Sequence, residues 1–205
     1  MIRRPPRSTL SSSSAASDVY KRQAKISSFV SNLREFSRLG QGIAFRDWVD
    51  LREVIERGVA ICRNRLNRTV RTFRWDVPED LPPVFTDPGA IEQLVINLLI
   101  NASAAVDKQE SRVELSVEPG PTWQDHVIIR VSDNGCGMDK ETVEKIFDPF
   151  FTTGSSGHGT GLGLYICHNI VENLGGRIEV ESRPGEGAIF RIVLPDKDRR
   201  QAKRL

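Results

Sequence analysis

The segment from Asp87 to about Val106 constrains the fold more than any other part of this 205-residue chain. Asp87 followed by Pro88 is typical of a helix start, with a capping carboxylate and a proline in the first turn. Apolar residues then recur at helical spacing, so this helix has to bury one stripe against another layer of structure. The stripe comprises Ile91, Leu94, Val95, Leu98 and Ala102.

The rest of the chain after residue 45 mixes strand and helix patterns. Asp50 is expected to cap a helix that runs to about Leu66, a short helix follows Asp139, and another runs from about Gly161 to Leu174. Five stretches have the alternation or the branched residues of strands. This mixture predicts a two-layer α/β (α+β) sandwich. The predicted strands are Thr72–Val77, Arg112–Glu118, His126–Ser132, Arg177–Glu181 and Ile189–Leu194.

Residues 1–42 differ in character from the central part of the chain. Residues 1–23 are rich in Arg and Pro and then in Ser, so they cannot bury enough apolar surface to become ordered. Residues 18–23 resemble the translation of a sequencing-library adapter; we expect an artefactual start, with a native disordered tail as the alternative. Residues 24–42 predict one amphipathic helix whose apolar stripe needs a partner, and residues 196–205 form a charged tail.

The charge balance, the lack of long apolar runs and the cysteine spacing limit the kinds of protein that this chain can be. Residues 1–23 hold five of the 29 basic residues and one of the 27 acidic ones, so the remainder is slightly acidic despite the overall charge of +2. Nothing in this balance indicates a nucleic-acid partner. No apolar run reaches the roughly 20 residues that a membrane helix needs. Three widely spaced cysteines fit reduced thiols and a cytoplasmic location.

Two asparagines, Asn97 and Asn101, lie four residues apart and therefore on one face of the predicted helix. Asparagine prefers caps and turns to helix interiors, so both side chains need hydrogen-bonding or ligand partners. Either they bond the neighbouring backbone, or their amide oxygens hold a hard cation such as Mg²⁺. The helix alone leaves both interpretations open.

A carboxylate and two glycines follow the predicted strand at 126–132. Asp133 stands at the strand end, where its carboxylate could accept a hydrogen bond from an exocyclic amine. Gly135 and Gly137 lack a Cβ, so a flat ring could approach the backbone. The alternative is a tight turn that requires positive φ angles.

Two further segments precede the last predicted helix. Phe147–Thr153 places aromatic residues beside a proline, either to pack a mobile lid or to fill the core. Gly157–Leu164 is rich in glycine and leads into a helix, whose free N–H groups and positive end favour an anion such as a triphosphate. It lacks the Gly-Lys-Ser/Thr ending of the common phosphate loop and follows no strand, unlike a dinucleotide fingerprint.

In this order and spacing, the four segments resemble the N, G1, F and G2 boxes of the histidine kinase catalytic domain, over about residues 45–195. Gly185–Phe190 resembles its further glycine box. The resemblance implies the Bergerat-type ATP-binding fold, a mixed five-stranded sheet with about three helices, shared with gyrase, the ninety-kilodalton heat-shock chaperones and mismatch-repair ATPases.

The resemblance also implies ATP and Mg²⁺ as cofactors. Asp133 would bind the adenine amine, Asn101 together with Asn97 would hold Mg²⁺, and the glycine loop would close on the phosphates. The residues implied in nucleotide binding, besides Asp133, are Gly135, Gly137, Phe147, Phe150, Thr153, Gly157, His158, Gly159, Thr160, Gly161, Leu162 and Gly163.

Position 97 favours phosphoryl transfer over hydrolysis. The hydrolytic relatives place a glutamate there, as a base that activates water; Asn97 cannot take a proton, and general-base catalysis is worth roughly 10²–10⁴ in rate. Glu92 is no substitute, since five residues along a helix it points away from Asn97. Phosphoryl transfer itself depends mainly on positioning and charge neutralisation.

The family's phosphoacceptor is a histidine followed by an acidic residue on the first helix of a dimerising hairpin. His126, His158 and His168 do not fit that pattern, and residues 24–42 resemble the second hairpin helix. We therefore expect the acceptor upstream. The full-length protein would be a homodimer that phosphorylates a response regulator receiver domain, with any membrane attachment in upstream regions.

Several departures from the family pattern leave alternatives open. Gly154 replaces a frequent lysine and Ala188 a common threonine, while Cys136 is a filler or a redox-sensitive thiol. Five arginines between positions 63 and 74 form a solvated face or a docking surface. The alternative functions are a non-catalytic nucleotide-binding module and an anti-sigma-type serine kinase; the helix ending at Leu39 argues against the latter.

Overall fold

The computed structural model describes residues 45–120, 126–153 and 160–195. The expectations for residues 1–23, 24–42 and 196–205, and for Gly157, His158 and Gly159, lie outside this part. In chain order the elements are β1 (Asp47–Val49), α1 (Leu51–Thr69), β2 (Thr72–Asp76), β3 (Val84–Thr86), α2 (Pro88–Ala105), β4 (Arg112–Pro119), β5 (His126–Asp133), α3 (Lys140–Lys145), α4 (Gly163–Asn173), β6 (Arg177–Arg183) and β7 (Gly187–Pro195).

Five of the strands form one mixed sheet in the order β2-β4-β5-β7-β6. The pairing of β2 with β4 is parallel, and the other neighbours are antiparallel. On β5 the residues Val127, Ile129 and Val131 are buried and alternate with less buried ones, as in a sheet with one covered face. The five predicted strands and the two-layer fold are therefore confirmed.

A second, two-stranded sheet was not predicted from the sequence. β1 and β3 pair antiparallel, and the rings of Trp48 and Phe85 lie 5.6 Å apart between their centroids. Each strand has only three residues, too few for an alternation to be recognised.

Side-chain caps begin the helices where the sequence predicts. Asp50 Oδ1 accepts a hydrogen bond from Arg52 N at 2.8 Å. Asp87 Oδ1 accepts from Gly89 N at 2.9 Å, with Pro88 in the first turn. The final helix begins two residues later than predicted, because the φ of Gly161 is +68° and the residue is not helical.

The helices cover one face of the large sheet. α2 packs on β5 and lies between α1 and α4, while α4 also contacts β6. Gly58 allows the close approach of α1, since a Cβ there would lie 3.0 Å from Val95 Cγ1. Among the described residues, no helix is long and apolar enough to cross a membrane. The fully buried core includes Ile55, Leu94, Leu98, Ile129 and Ile192.

Candidate functional site

The carboxyl-terminal half of α2 brings the predicted motifs together. Asn101 lies against the start of α4, since a Cβ built on Gly163 would be 3.6 Å from Asn101 Nδ2. One turn further along α2, the carbonyl oxygen of Ala105 accepts a hydrogen bond from Cys136 N at 3.0 Å. The segment after Asp133 and the end of the glycine-rich segment thus meet on the same helix.

Asp133 is the last residue of β5, and its carboxylate is partly buried. Gly135 N donates a 2.8 Å hydrogen bond to its Oδ1. Burial raises the pKa of Asp133, and backbone hydrogen bonds from Gly135 and Ala188 and the charge of Lys108 oppose this rise. Such a carboxylate, held at a strand end, can accept a hydrogen bond from an exocyclic amine.

The two glycines after Asp133 are explained by the protein's own packing. A Cβ on Gly135 would overlap the carbonyl oxygen of Ala105. Gly137 has a φ of +64°, and a Cβ there would overlap the carbonyl oxygen of Arg183. Backbone therefore occupies the space that the sequence suggested for a flat ring, and contact between these glycines and adenine stays a prediction.

The turn between β6 and β7 holds the segment Asp133–Met138 from another side. Gly185 N donates to the carbonyl oxygen of Cys136 at 2.7 Å. Ser182 Oγ accepts from Met138 N at 2.9 Å and donates to the carbonyl oxygen of Gly187 at 2.6 Å. The sequence gives no signal for Ser182, because its partners are backbone atoms of distant residues.

Asn134 is a second residue that the sequence analysis missed. Its Oδ1 accepts from Arg112 N at 2.7 Å, and its Nδ2 donates to the carbonyl oxygen of Glu110 at 2.9 Å. The side chain thus fastens the end of β5 to the start of β4. An asparagine in a predicted turn is the only signal that the sequence offers for this role.

The structure places Asn97 and Asn101 in different environments. Asn97 is 6% exposed, its Oδ1 accepts from Gln93 Nε2 at 3.2 Å, and its amide lies next to the Cys167 thiol. Asn101 is only half-buried, and in both asparagines the Nδ2 atom is buried without a hydrogen-bond partner among the described residues. Binding of a metal by the Oδ1 atom of Asn97 would require it to give up its hydrogen bond from Gln93, whereas no side chain of the described residues donates to Oδ1 of Asn101.

A Mg²⁺ ion fits this donor set only together with oxygen atoms of a ligand. Among residues 45–120, 126–153 and 160–195 there is no cluster of three or more His, Cys, Asp or Glu side chains that could hold a metal. Mg²⁺ is commonly held by one or two protein groups, phosphate oxygens and water. Asn101, half-buried beside the start of α4, is placed to supply its amide oxygen to that arrangement.

Backbone contacts join the aromatic segment to the described end of the glycine-rich segment. Phe150 N donates to the carbonyl oxygen of Gly161 at 3.0 Å, and a Cβ on Gly161 would overlap the backbone of Phe150. Phe147 and Phe151 pack against the core, whereas Phe150 is 59% exposed and has a φ of +67°. Leu162 is buried next to this junction.

The remaining predicted residues lie at the edges of this region. Thr153 is exposed, and Leu162 N donates to Thr160 Oγ1 at 3.3 Å. His126 begins β5, and His168 lies on α4, with its Nδ1 3.5 Å from a Glu172 carboxylate oxygen. The arginines at positions 63, 65, 68, 71 and 74 are all exposed, and none of them forms an ion pair with another described residue.

Fold and site define a class of nucleotide-binding protein. Residues 86–198 match the family described as histidine kinase-, DNA gyrase B-, and HSP90-like ATPase, and the chain belongs to this family. It carries the ATP-binding catalytic domain of a histidine kinase, as the resemblance implied.

Relatives and solved structures agree with this assignment. The chain is 37% identical over 153 residues to the sensor histidine kinase ZraS of Salmonella typhimurium, covering 75% of this chain and 32% of that protein. It is 34% identical over 182 residues to the histidine-protein kinase AtoS of Escherichia coli, covering 86% and 28%. The chain thus spans about a third of the length of these relatives.

Similar structures include the catalytic domain of the histidine kinase ThkA, with a TM-score of 0.64 and 30% identity over 74% of this chain and 96% of that one. The histidine kinase AdeS of Acinetobacter baumannii has a TM-score of 0.71 and 26% identity, covering 88% and 83%.

Proposed function

We propose that this domain binds Mg·ATP and transfers the γ-phosphoryl group to a histidine of its full-length protein. That protein would act as a homodimer and pass the phosphoryl group to an aspartate of a response regulator receiver domain. One observation carries the proposal: the end of α2 contacts both the Asp133–Met138 segment, through Ala105, and the start of α4, through Asn101.

Each part of the site has a separate task. Asp133 accepts a hydrogen bond from the exocyclic amine of adenine, and the start of α4 with the glycine-rich segment before it binds phosphate oxygens through N–H groups. Asn101 would hold Mg²⁺ by its amide oxygen, and the ion neutralises phosphate charge. These protein groups position ATP, and positioning is the main requirement of phosphoryl transfer.

Two side chains of α2 favour phosphoryl transfer from ATP over hydrolysis of ATP. Asn97 occupies the position of the hydrolytic base, is nearly fully buried, and has no basic group. Glu92 is engaged elsewhere, with its Oε2 3.0 Å from Arg57 Nε on α1. Neither side chain is available to activate a water molecule at the phosphates.

The two asparagines can be distinguished by substitution. We expect Asn101→Ala to weaken Mg·ATP binding by about 10- to 100-fold, as for a lost contact to a charged group. The ATP affinity of this variant should no longer depend on Mg²⁺. Asn97→Ala should keep the Mg²⁺ dependence but lower stability by about 1–3 kcal/mol, because it leaves a cavity and unpairs Gln93. Calorimetric titration with and without Mg²⁺ measures the first effect and thermal unfolding the second. Equal loss of Mg²⁺ dependence in both variants would show that Asn97 is also a ligand.

Labelling with γ-labelled ATP tests the transfer itself. We expect no phosphohistidine on this chain alone, because none of its histidines resembles an acceptor. Adding a separately expressed dimerisation hairpin, with a histidine followed by an acidic residue, should give acid-labile, base-stable label on the hairpin. A hairpin with that histidine changed to alanine is the control. Binding of ATP without any transfer would favour the non-catalytic regulatory module.

A further inference from the structure

The loop between α2 and β4 contributes a side chain that the proposed site does not yet use. Lys108 Nζ donates a 2.6 Å hydrogen bond to the carbonyl oxygen of Gly185, in the turn between β6 and β7. The two residues are 77 positions apart, so the sequence alone does not predict their contact. The bond links two segments that both contact the Asp133–Met138 segment.

The end of α2, from which the loop begins, and the β6–β7 turn both hold the backbone of Cys136. Its N–H donates to Ala105 at the end of α2, and its carbonyl oxygen accepts from Gly185 N. The Lys108–Gly185 bond joins the loop after Ala105 to the same turn and thereby closes a ring of contacts. Movement of the turn away from α2 would have to break this bond together with the Cys136 contacts.

The ammonium group of Lys108 also acts on the carboxylate of Asp133. Its positive charge lowers the pKa of Asp133 and so opposes burial, whereas the neighbouring Asp107 raises that pKa. The turn carries one oppositely charged pair, whose atoms lie 3.8 Å apart. The other charged side chains of the loop, the turn and the strand ends next to them are Glu110 in the loop, Arg112 at the start of β4 and, in that pair, Arg183 and Glu186.

We propose that Lys108 is a positioning residue for nucleotide binding, which ties the β6–β7 turn to the end of α2 and places a positive charge near Asp133. The inference rests on the proposed function, because it assigns Lys108 to the same adenine site. Lys108 itself is exposed, so its removal should not impair folding.

The test compares Lys108→Met with Lys108→Arg by calorimetric titration of Mg·ATP across the acidic part of the pH range. Lys108→Met should weaken binding about two- to tenfold, as for one lost hydrogen bond, and should move the pH of half-maximal affinity upward. Lys108→Arg should retain the wild-type affinity and midpoint. Asp107→Asn removes a negative charge and should move the midpoint downward.

Lys140→Met provides the matched control, since this lysine is exposed on α3 and outside the ring of contacts. A Lys108→Met variant with unchanged affinity and midpoint overturns the inference. So does weaker binding with an unchanged midpoint, which loosening of the turn alone would produce. Absence of ATP binding by the wild-type chain is a different result, because it refutes the proposed function and with it the role of Lys108.

Discussion

At the scale of single residues, Asp133 shows a conflict between stability and binding. Its carboxyl group accepts a hydrogen bond from an amine most strongly when it is ionised, yet burial raises its pKa. A raised pKa in the folded state means that the ionised form costs stability. This cost is present above the folded pKa and disappears as pH falls below the unfolded one. The residue therefore fits a binding role better than a structural one.

The glycines around Asp133 lead to a prediction at the same scale. Gly137→Ala combines a positive φ with an overlap of the new Cβ and the Arg183 carbonyl oxygen. It should lower the free energy of unfolding by more than about 2 kcal/mol, through backbone strain plus displacement. Gly185→Ala is the matched control, since its φ is +79° but nothing lies within 4 Å of the new Cβ. It should cost only about 1–2 kcal/mol. Equal melting temperatures of the two variants would contradict the packing described for Gly137.

At the scale of elements, the sequence predicted the five strands of the main sheet and the four helices of the described residues, including the six-residue α3 after Asp139, but it missed the two three-residue strands. The carboxylates of Asp50 and Asp87 identify helix starts because each caps free N–H groups. β1 and β3 were missed since three residues cannot establish a period, and their pairing depends on contacts between distant segments. Local patterns thus predicted the main sheet and helices but not the small sheet beside them.

The central position of α2 can be tested with two adjacent apolar residues. Leu99 is completely buried, whereas Ile100 is 36% exposed. Leu99→Ala should cost about 2–5 kcal/mol through lost contacts and a residual cavity. Ile100→Ala should cost clearly less, about 1 kcal/mol or below. Thermal or urea unfolding measures both, and a larger loss for Ile100→Ala would contradict the assigned faces of the helix.

At the scale of the whole molecule, the site is an assembly of segments far apart in sequence. The motifs predicted which residues to examine, and the structure brings Asn101 to Gly163 and Cys136 to both Ala105 and Gly185. The sequence could not predict the hydrogen bonds of Cys136, because their acceptors are backbone carbonyl groups, which every residue type carries. It also could not separate Asn97 from Asn101, since their difference in burial depends on the packing of α4 against α2.

The central claim is that this domain recognises the amine of adenine through Asp133, and titration of Mg·ATP into the wild type and into Asp133→Asn tests it most directly. We predict binding by the wild type and at least about a tenfold loss in the variant, the scale of a lost hydrogen bond to a charged group. Without nucleotide, the variant should be at least as stable as the wild type near neutral pH, because it removes a buried charge. Equal affinity of the two proteins for ATP, or no affinity in either, would contradict the account.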